Sequence, residues 1–275
     1  MVSLKELLRN KLTKKEMETM VSSYDVVGDV AIVEIPTILE KKEKIIGEAI
    51  MKINKHIKVV CKKAGIHRGI YRRQKLKIIA GERRKTTIHR ENKVLIKLHL
   101  EKVYFSPRLS TERLRIAKQI KPGEEVLVMF SGVAPYCLVI AKNSEAKIVY
   151  GVEINPVAHK YAEENVKLNK LSDRIKLYLG DVRMVVPELK KKFDRIVMPL
   201  PLGGENFLDV ALSAIKKKGT IHFYDFKDES GFEIAKKKVI DACKKAKKKC
   251  KILRLVKCGQ IAPRTYRVCI DFEVG

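Results

Sequence analysis

Four stretches from residue 130 onward end apolar runs with residues that can bind or react. FSGVAPY (130–136) follows EVLVM, and its Gly132 and small Ala134 let backbone approach a bound molecule closely. Glu153 closes KIVYGVE, where a carboxylate can accept hydrogen bonds from ribose hydroxyls. Asp181 closes IKLYLGD and can accept from an exocyclic amine. The run RIVM opens into PLPLGG (199–204), in which Pro199 and Pro201 each fix φ and remove an N–H donor. Each feature alone arises often by chance. Their order gains meaning from the elements that carry them.

From about residue 124 onward, short β-rich runs alternate with helical stretches. The segments 125–131, 147–154, 175–181, 194–200 and 219–226 read as buried strands. Between them, NPVAHKYAEENVKLNK (155–170) reads as a helix with Asn155 as N-cap and Pro156 at its first position. This rhythm predicts an α/β domain, a parallel sheet with helices on both faces. At the end, CKILRLVKC (250–258) and TYRVCIDFEV (265–274) predict a closing antiparallel hairpin. KKAKKKCK (244–251) is expected on a solvated helix face, with RNA contact as the other reading.

Residues 1–115 break that rhythm and are expected to form a small α+β domain, leaving 116–275 as the second domain. DVVGDVAIVEIP (25–36) predicts a hairpin turning at Gly28-Asp29, followed by a helix over 44–53. RKTTIHRENKVLIKLHL (84–100) predicts two strands around a turn at REN, and 107–123 a helix at the join.

With 59 Lys plus Arg against 32 Asp plus Glu, the net charge is +27. A surface this basic favours a polyanion, most simply nucleic acid, because each phosphate neutralised releases counterions. No apolar run reaches the roughly 18–20 residues needed to span a bilayer, and the first residues lack a signal-peptide core, so no membrane partner and a cytoplasmic location are expected. The six cysteines have no CxxC and no histidine at zinc spacing, so neither a metal nor a disulfide framework is expected. His67, His89, His99, His159 and His222 show no triad or metal pattern and are expected to be structural or exposed.

A glycine loop, an acid after the second strand, an acid after the third and a proline-framed loop after the fourth is the layout of S-adenosylmethionine methyltransferases. The dinucleotide spacing GxGxxG is absent, which argues against NAD. Together SYDVVGD (23–29), IAGERRKTTIHREN (79–92), VYFSPRLSTERLR (103–115), MFSGVAPY (129–136), INPVAHKYAEENVKLNKL (154–171), GDVR (180–183) and IAPRTY (261–266) resemble the archaeal and eukaryotic tRNA (guanine-37-N1) methyltransferases. The resemblance implies a Rossmann-like class I methyltransferase domain behind the small domain, with S-adenosyl-L-methionine as cofactor and tRNA as partner of a monomeric chain. It also implies that the family's separate elbow-binding domain is missing, since only about 20 residues precede the match.

The roles carried over by resemblance are these. Arg72 aligns with the arginine acting on guanine O6, and Glu112, beside Arg113, with the general base. Tyr104 aligns with a tyrosine lining the cofactor pocket. Glu153 and Asp181 align with the ribose and adenine carboxylates, and Phe130, Gly132, Ala134, Ile154, Val182 and Pro199 border the same pocket. Pro199 and Pro201 stand at the target base. Three positions depart from the family: Val128 replaces an aspartate, Ala134 a glycine, and Pro199-Leu200-Pro201 an Asn-Leu-Pro. A Pro-Leu-Pro turn would replace the lost amide by an acceptor-only rim. The residues alone also admit blander roles: an i,i+3 pair of Glu112 with Arg115 on a helix surface, a phosphate contact for Arg72, core packing for Tyr136. The same residues also admit aminocarboxypropyl transfer on the same scaffold, or RNA binding without catalysis.

Overall fold

The computed structural model describes residues 3–20, 22–65 and 69–275, so His67 lies outside the described residues. It divides into two compact units, Met1–Arg90 with Leu95–Pro107, and Glu91–Val94 with Arg108–Gly275.

In the first unit, two short helices, α1 (Leu4–Leu8) and α2 (Lys14–Thr19), each begin with a capping box, Ser3 with Glu6 and Thr13 with Glu16. A four-stranded sheet in sequence order follows: β1 (Tyr24–Val27), β2 (Val30–Val33), β3 (Val59–Lys63) and β4 (Leu76–Gly81). β1 and β2 turn at Gly28-Asp29 as the dipeptide predicts, and α3 (Glu43–Ile53) crosses over to make β2 and β3 parallel. Leu8, Leu39, Ile46, Ile50 and Val60 form its core. β5 (Thr86–Glu91) and β6 (Val94–His99) make a hairpin whose turn is Asn92-Lys93, both at positive φ, rather than Arg90-Glu91-Asn92. Two left-handed residues in sequence give the twist a tight hairpin needs.

The second unit opens with α4 (Ser110–Ala117), shorter than the helix expected over 107–123 because the chain turns at Lys118–Ile120. Then come β7 (Glu125–Met129), α5 (Pro135–Asn143), β8 (Ile148–Glu153), α6 (Pro156–Leu168), β9 (Ile175–Leu179), α7 (Val182–Glu188), β10 (Phe193–Met198), α8 (Leu208–Ala214), β11 (Ile215–Lys227), α9 (Phe232–Lys245), β12 (Cys250–Ala262) and β13 (Thr265–Val274). The sheet order is β12-β13-β11-β10-β7-β8-β9, parallel from β11 to β9, with β13 antiparallel to both neighbours. Asn155 caps α6 through its side chain and Pro156 opens it, as expected. β9, expected to be buried, is the sheet edge, and its Leu179 is half exposed.

α7, α8 and α9 cover one face, where Leu127, Met129, Met198, Phe223 and Phe272 are buried. On the other face α5 sits so close to β8 that a Cβ on Gly151 would stand 2.9 Å from Cys137 Sγ and 2.8 Å from Leu177 Cδ2. That glycine is what the close approach requires. The basic run 244–251 is not one helix face: α9 ends at Lys245, the chain turns, and β12 begins at Cys250. This sheet order, with β13 inserted antiparallel, is that of the Rossmann-like class I methyltransferases. Its strand order reverses between β7 and β10, the place where open α/β sheets bind ligands beyond their carboxyl ends.

Candidate functional site

The loop after β7 is built on positive φ. Phe130 (φ 57°), Gly132 (φ 58°) and Ala134 (φ 66°) are all left-handed, and only one of the three is glycine. Ala134 is fully buried and precedes Pro135, the first residue of α5. Strain held at a loop beside a switch point is a mark of a functional segment. The Ser131 hydroxyl is buried and finds no hydrogen-bond partner there.

Glu153 ties the neighbouring loops together. Its Oε2 accepts from the Gly132 N–H at 2.6 Å and its Oε1 from the Asn155 N–H at 2.8 Å. The carboxyl is 9% exposed, and burial pushes its pKa up against these backbone donors. The Ile154 N–H is a third backbone donor to this carboxylate, which leaves it acceptor capacity for a ligand hydroxyl. After β9, Asp181 caps α7 by accepting from the Arg183 N–H at 2.8 Å. The Arg183 guanidinium lies 4.0 Å over the Phe207 ring, which meets Phe130 edge to face. Ile154 is partly exposed, whereas the Val182 side chain is only 2% exposed and belongs to the core, so main chain is what Val182 can offer a ligand.

After β10, the Leu200 N–H donates to Met198 C=O at 2.7 Å across Pro199. This i to i+2 closure is an inverse γ-turn, whose central φ near −75° is one proline supplies. Pro199 and Pro201 have no N–H and that of Leu200 is already used. The three-residue rim can therefore only accept hydrogen bonds.

Glu112, on α4, is 5% exposed rather than on a helix surface. Arg115 embraces it, Nε to Oε2 at 2.6 Å and Nη2 to Oε1 at 2.8 Å, and the Tyr224 hydroxyl also donates to Oε1. The i,i+3 contact is thus made, but inside the unit. Arg115 Nη1 reaches Asp271 Oδ2 at 2.6 Å, Asp271 Oδ1 faces His222 Nδ1 at 2.6 Å, and His222 Nε2 faces Arg195 Nη1 at 2.8 Å. A guanidinium can only donate, so His222 is the neutral tautomer with its proton on Nδ1. Tyr136 is buried too, and its hydroxyl donates to that of Tyr224 at 3.1 Å. Burial pushes both phenols up, which keeps them protonated donors.

His222 thus departs from the expectation that no histidine shares a metal-like pattern: among the described residues His222, Cys269 and Asp271 bring three ligand atoms within 4.8 Å of one another. Arg115 and Arg195 already bond the Asp271 and His222 atoms of that group, so a cation there would meet two guanidiniums.

In the first unit, Arg72 and Tyr104, far apart in sequence, come together with the guanidinium 5.7 Å from the ring centroid. Arg72 itself has φ 50° in the turn closed by its N–H on Gly69 C=O. The sequence reading missed Tyr224, Asp271 and Arg195. They sit among apolar residues of β11, β13 and β10 respectively, and nothing local says that they converge.

The fold and the carboxyl-edge loops define a class I methyltransferase. The TRM5/TYW2 methyltransferase domain matches residues 87–253 and the TYW2 N-terminal domain residues 4–85, and the chain belongs to the TRM5/TYW2 family. It is 42% identical over 257 residues to the tRNA (guanine(37)-N(1))-methyltransferase Trm5b of Pyrococcus abyssi, covering 92% of this chain and 75% of the relative. It is 35% identical over 206 residues to the tRNA(Phe) (4-demethylwyosine(37)-C(7)) aminocarboxypropyltransferase of Methanocaldococcus jannaschii, covering 74% of this chain and 77% of that one. Among solved structures, the complex of aTrm5 and tRNALeu superposes with a TM-score of 0.87 at 36% identity, over 99% of this chain and 78% of that chain.

Proposed function

We propose that the chain transfers the methyl group of S-adenosylmethionine to N1 of guanosine 37 in tRNA. The observation that carries this reading is the carboxyl edge of the second unit's sheet, where Glu153, the strained 130–134 loop and an acceptor-only rim follow three strands at the switch point. The orphaned Ser131 hydroxyl and the remaining acceptor capacity of Glu153 fit a ligand carrying ribose hydroxyls. Glu153 would hold the ribose of the cofactor, Asp181 the adenine amine, and the 130–134 loop the methionine end. The cofactor supplies an activated methyl on a sulfonium.

The chain's residues do the rest. Guanine N1 carries a proton at neutral pH, and Glu112 accepts it as the base. Charge then spreads to O6, which the fixed guanidinium of Arg72 stabilises. Guanine presents donors at N1 and its exocyclic amine, and the Pro199–Pro201 rim offers acceptors only. Unstacking the base costs less in a loop than in a duplex. The small first unit is assigned to the RNA and the second to the cofactor. The chain acts as a monomer in the cytoplasm. Among its described residues no helix is long and apolar enough to cross a membrane.

A second reading, transfer of the aminocarboxypropyl group, is favoured by the TYW2 match over residues 4–85. Both are tested by incubating tRNA bearing unmodified guanosine 37, and in parallel tRNA bearing 4-demethylwyosine, with S-adenosylmethionine labelled in either the methyl or the carboxyl carbon, followed by nucleoside mass spectrometry. Methyl label in N1-methylguanosine at position 37 is expected. Carboxyl label in the nucleoside establishes the second reading, and no label in either substrate sinks both.

A further inference from the structure

Resting on the Pro199–Pro201 rim as the support of the target base, we propose that Lys238 is a positioning residue that fixes the rim by tying the loop behind it to the carboxyl end of β11. At its near end the rim is held by β10 and the turn that Leu200 closes on Met198. At its far end stand Gly203, at φ 79°, and Gly204, and glycines leave a chain free to swing. A Cβ on Gly203 would meet nothing nearer than 3.9 Å, so no packing grips the loop there. Gly204 lies against Phe223 but has no side chain to hold on with.

Two contacts beyond the glycines do the holding. Phe207 meets Phe130 edge to face. Glu205, the first residue after the glycine pair, accepts from Lys238 Nζ at 2.9 Å, and the same ammonium lies 2.9 Å from Asp225 Oδ2. One cation on α9 thus joins the loop to β11. The second Glu205 oxygen is buried without a hydrogen-bond partner, and among the described residues Lys238 is the only cation bonded to this carboxylate. Asp225 is 4% exposed, and its Oδ1 accepts from the Phe226 N–H, so the β11 end of the tie is itself fixed.

The tie has a sign. Two carboxylates that touch one ammonium face each other across it, and without that cation they repel in surroundings that screen poorly. Lys238 therefore holds the loop against β11, and its loss drives the loop away. Burial pushes the Glu205 carboxyl up, but Lys238 and the Glu205 N–H outweigh it and hold it below the usual carboxylate range, so the charge is present at neutral pH. The other cation nearby, Lys227, lies 3.6 Å from Asp225 Oδ2 and makes no ion pair with Glu205, so it neutralises part of one charge without joining the two. A displaced rim shifts guanine N1 against the methyl group, and a misplacement of about 1 Å costs on the order of 10²-fold in rate.

The test measures the single-turnover rate of methyl transfer to guanosine-37 tRNA, at saturating tRNA and cofactor, and cofactor affinity by calorimetry. It compares the full chain with Lys238→Met, Glu205→Gln and the double variant. Lys238→Met lowers the rate by about 10- to 100-fold and leaves cofactor affinity unchanged. The double variant is faster than Lys238→Met, because it removes one of the two facing charges. A lysine that merely stabilised α9 would act independently of Glu205, and the double variant would be the slower of the two. An unaltered Lys238→Met rate, a parallel loss of cofactor affinity, or a double variant slower than Lys238→Met overturns the proposal and leaves methyl transfer standing. If Lys238→Met does not fold, Glu205→Gln decides: a slower rate at unchanged cofactor affinity supports the tie, and an unaltered rate overturns it. An unaltered chain that makes no N1-methylguanosine removes the proposed function and this proposal with it.

Discussion

The Gly132 N–H donates to Glu153 Oε2 at 2.6 Å, so the loop after β7 is held by the acid that ends β8. One carboxylate therefore shapes the loop, and in the proposed function it also holds the ribose of the cofactor. Glu153→Ala should weaken S-adenosylmethionine binding by about 10- to 100-fold, the range expected for losing hydrogen bonds to a charged acceptor. Isothermal calorimetry checks this, and unaltered affinity would remove Glu153 from the ribose.

Ala134 sits at φ 66° and is fully buried. A β-branched side chain fits neither that backbone nor that space. Ala134→Val should lower the unfolding free energy by at least about 2 kcal/mol, from strain and overpacking together. Denaturant unfolding measures it. A loss below about 0.5 kcal/mol would mean that the loop relaxes freely and that its positive φ values constrain nothing.

What the sequence made legible follows from range. The apolar run ending in Glu153, the Asn155-Pro156 helix start and the Gly28-Asp29 turn depend on neighbours in the chain, and each lies where the pattern puts it, whereas β9 stops at Leu179 on the sheet edge and Asp181 caps α7 instead of ending a buried strand. β3 and β4 escaped detection because VVCKK has only three apolar residues before it runs into two lysines and LKIIAG is broken by Lys77, so neither reads as a clean run. The network around Glu112 was illegible for another reason. Arg115 and Asp271 are 156 positions apart, and only the insertion of β13 beside β11 brings His222 and Asp271 together. Glu112 and Arg115 signal a helix pair, and that signal is the same whether the pair is exposed or buried.

His222 and Asp271 make stability depend on pH. Burial pushes the His222 pKa down, against the pull of Asp271, and the ring stays neutral. Burial pushes the Asp271 carboxyl up, but His222 and Arg115 outweigh it and hold the carboxyl below the usual carboxylate range. Both groups bind their proton less readily folded than unfolded. Their stabilisation is present above the unfolded values, near 6.5 for His and 3.9 for Asp, and is lost as pH falls below them. Between pH 6.5 and 5.5, the unfolding free energy should fall by up to about 1.4 kcal/mol more in the unaltered chain than in His222→Gln. Parallel denaturant curves across that window would contradict a neutral buried His222.

Arg72 separates two ways in which this basic chain can use a guanidinium. The net charge of +27 predicts that tRNA affinity falls steeply with salt, log affinity against log salt being linear with a slope set by the number of phosphates contacted. If Arg72 is one of those contacts, Arg72→Ala weakens binding and reduces the slope by about 1. If it stabilises charge on guanine O6, binding and slope change little and the single-turnover rate falls by about 10²- to 10³-fold, the cost of losing one donor to developing oxyanion charge. The second outcome is expected, because Arg72 is held in a left-handed turn with its guanidinium set over Tyr104, a fixed placement that a loose phosphate contact does not require. Arg72→Lys sharpens the test: it keeps the charge that a phosphate reads but loses the planar fork, so a phosphate role is rescued by lysine and an O6 role is not.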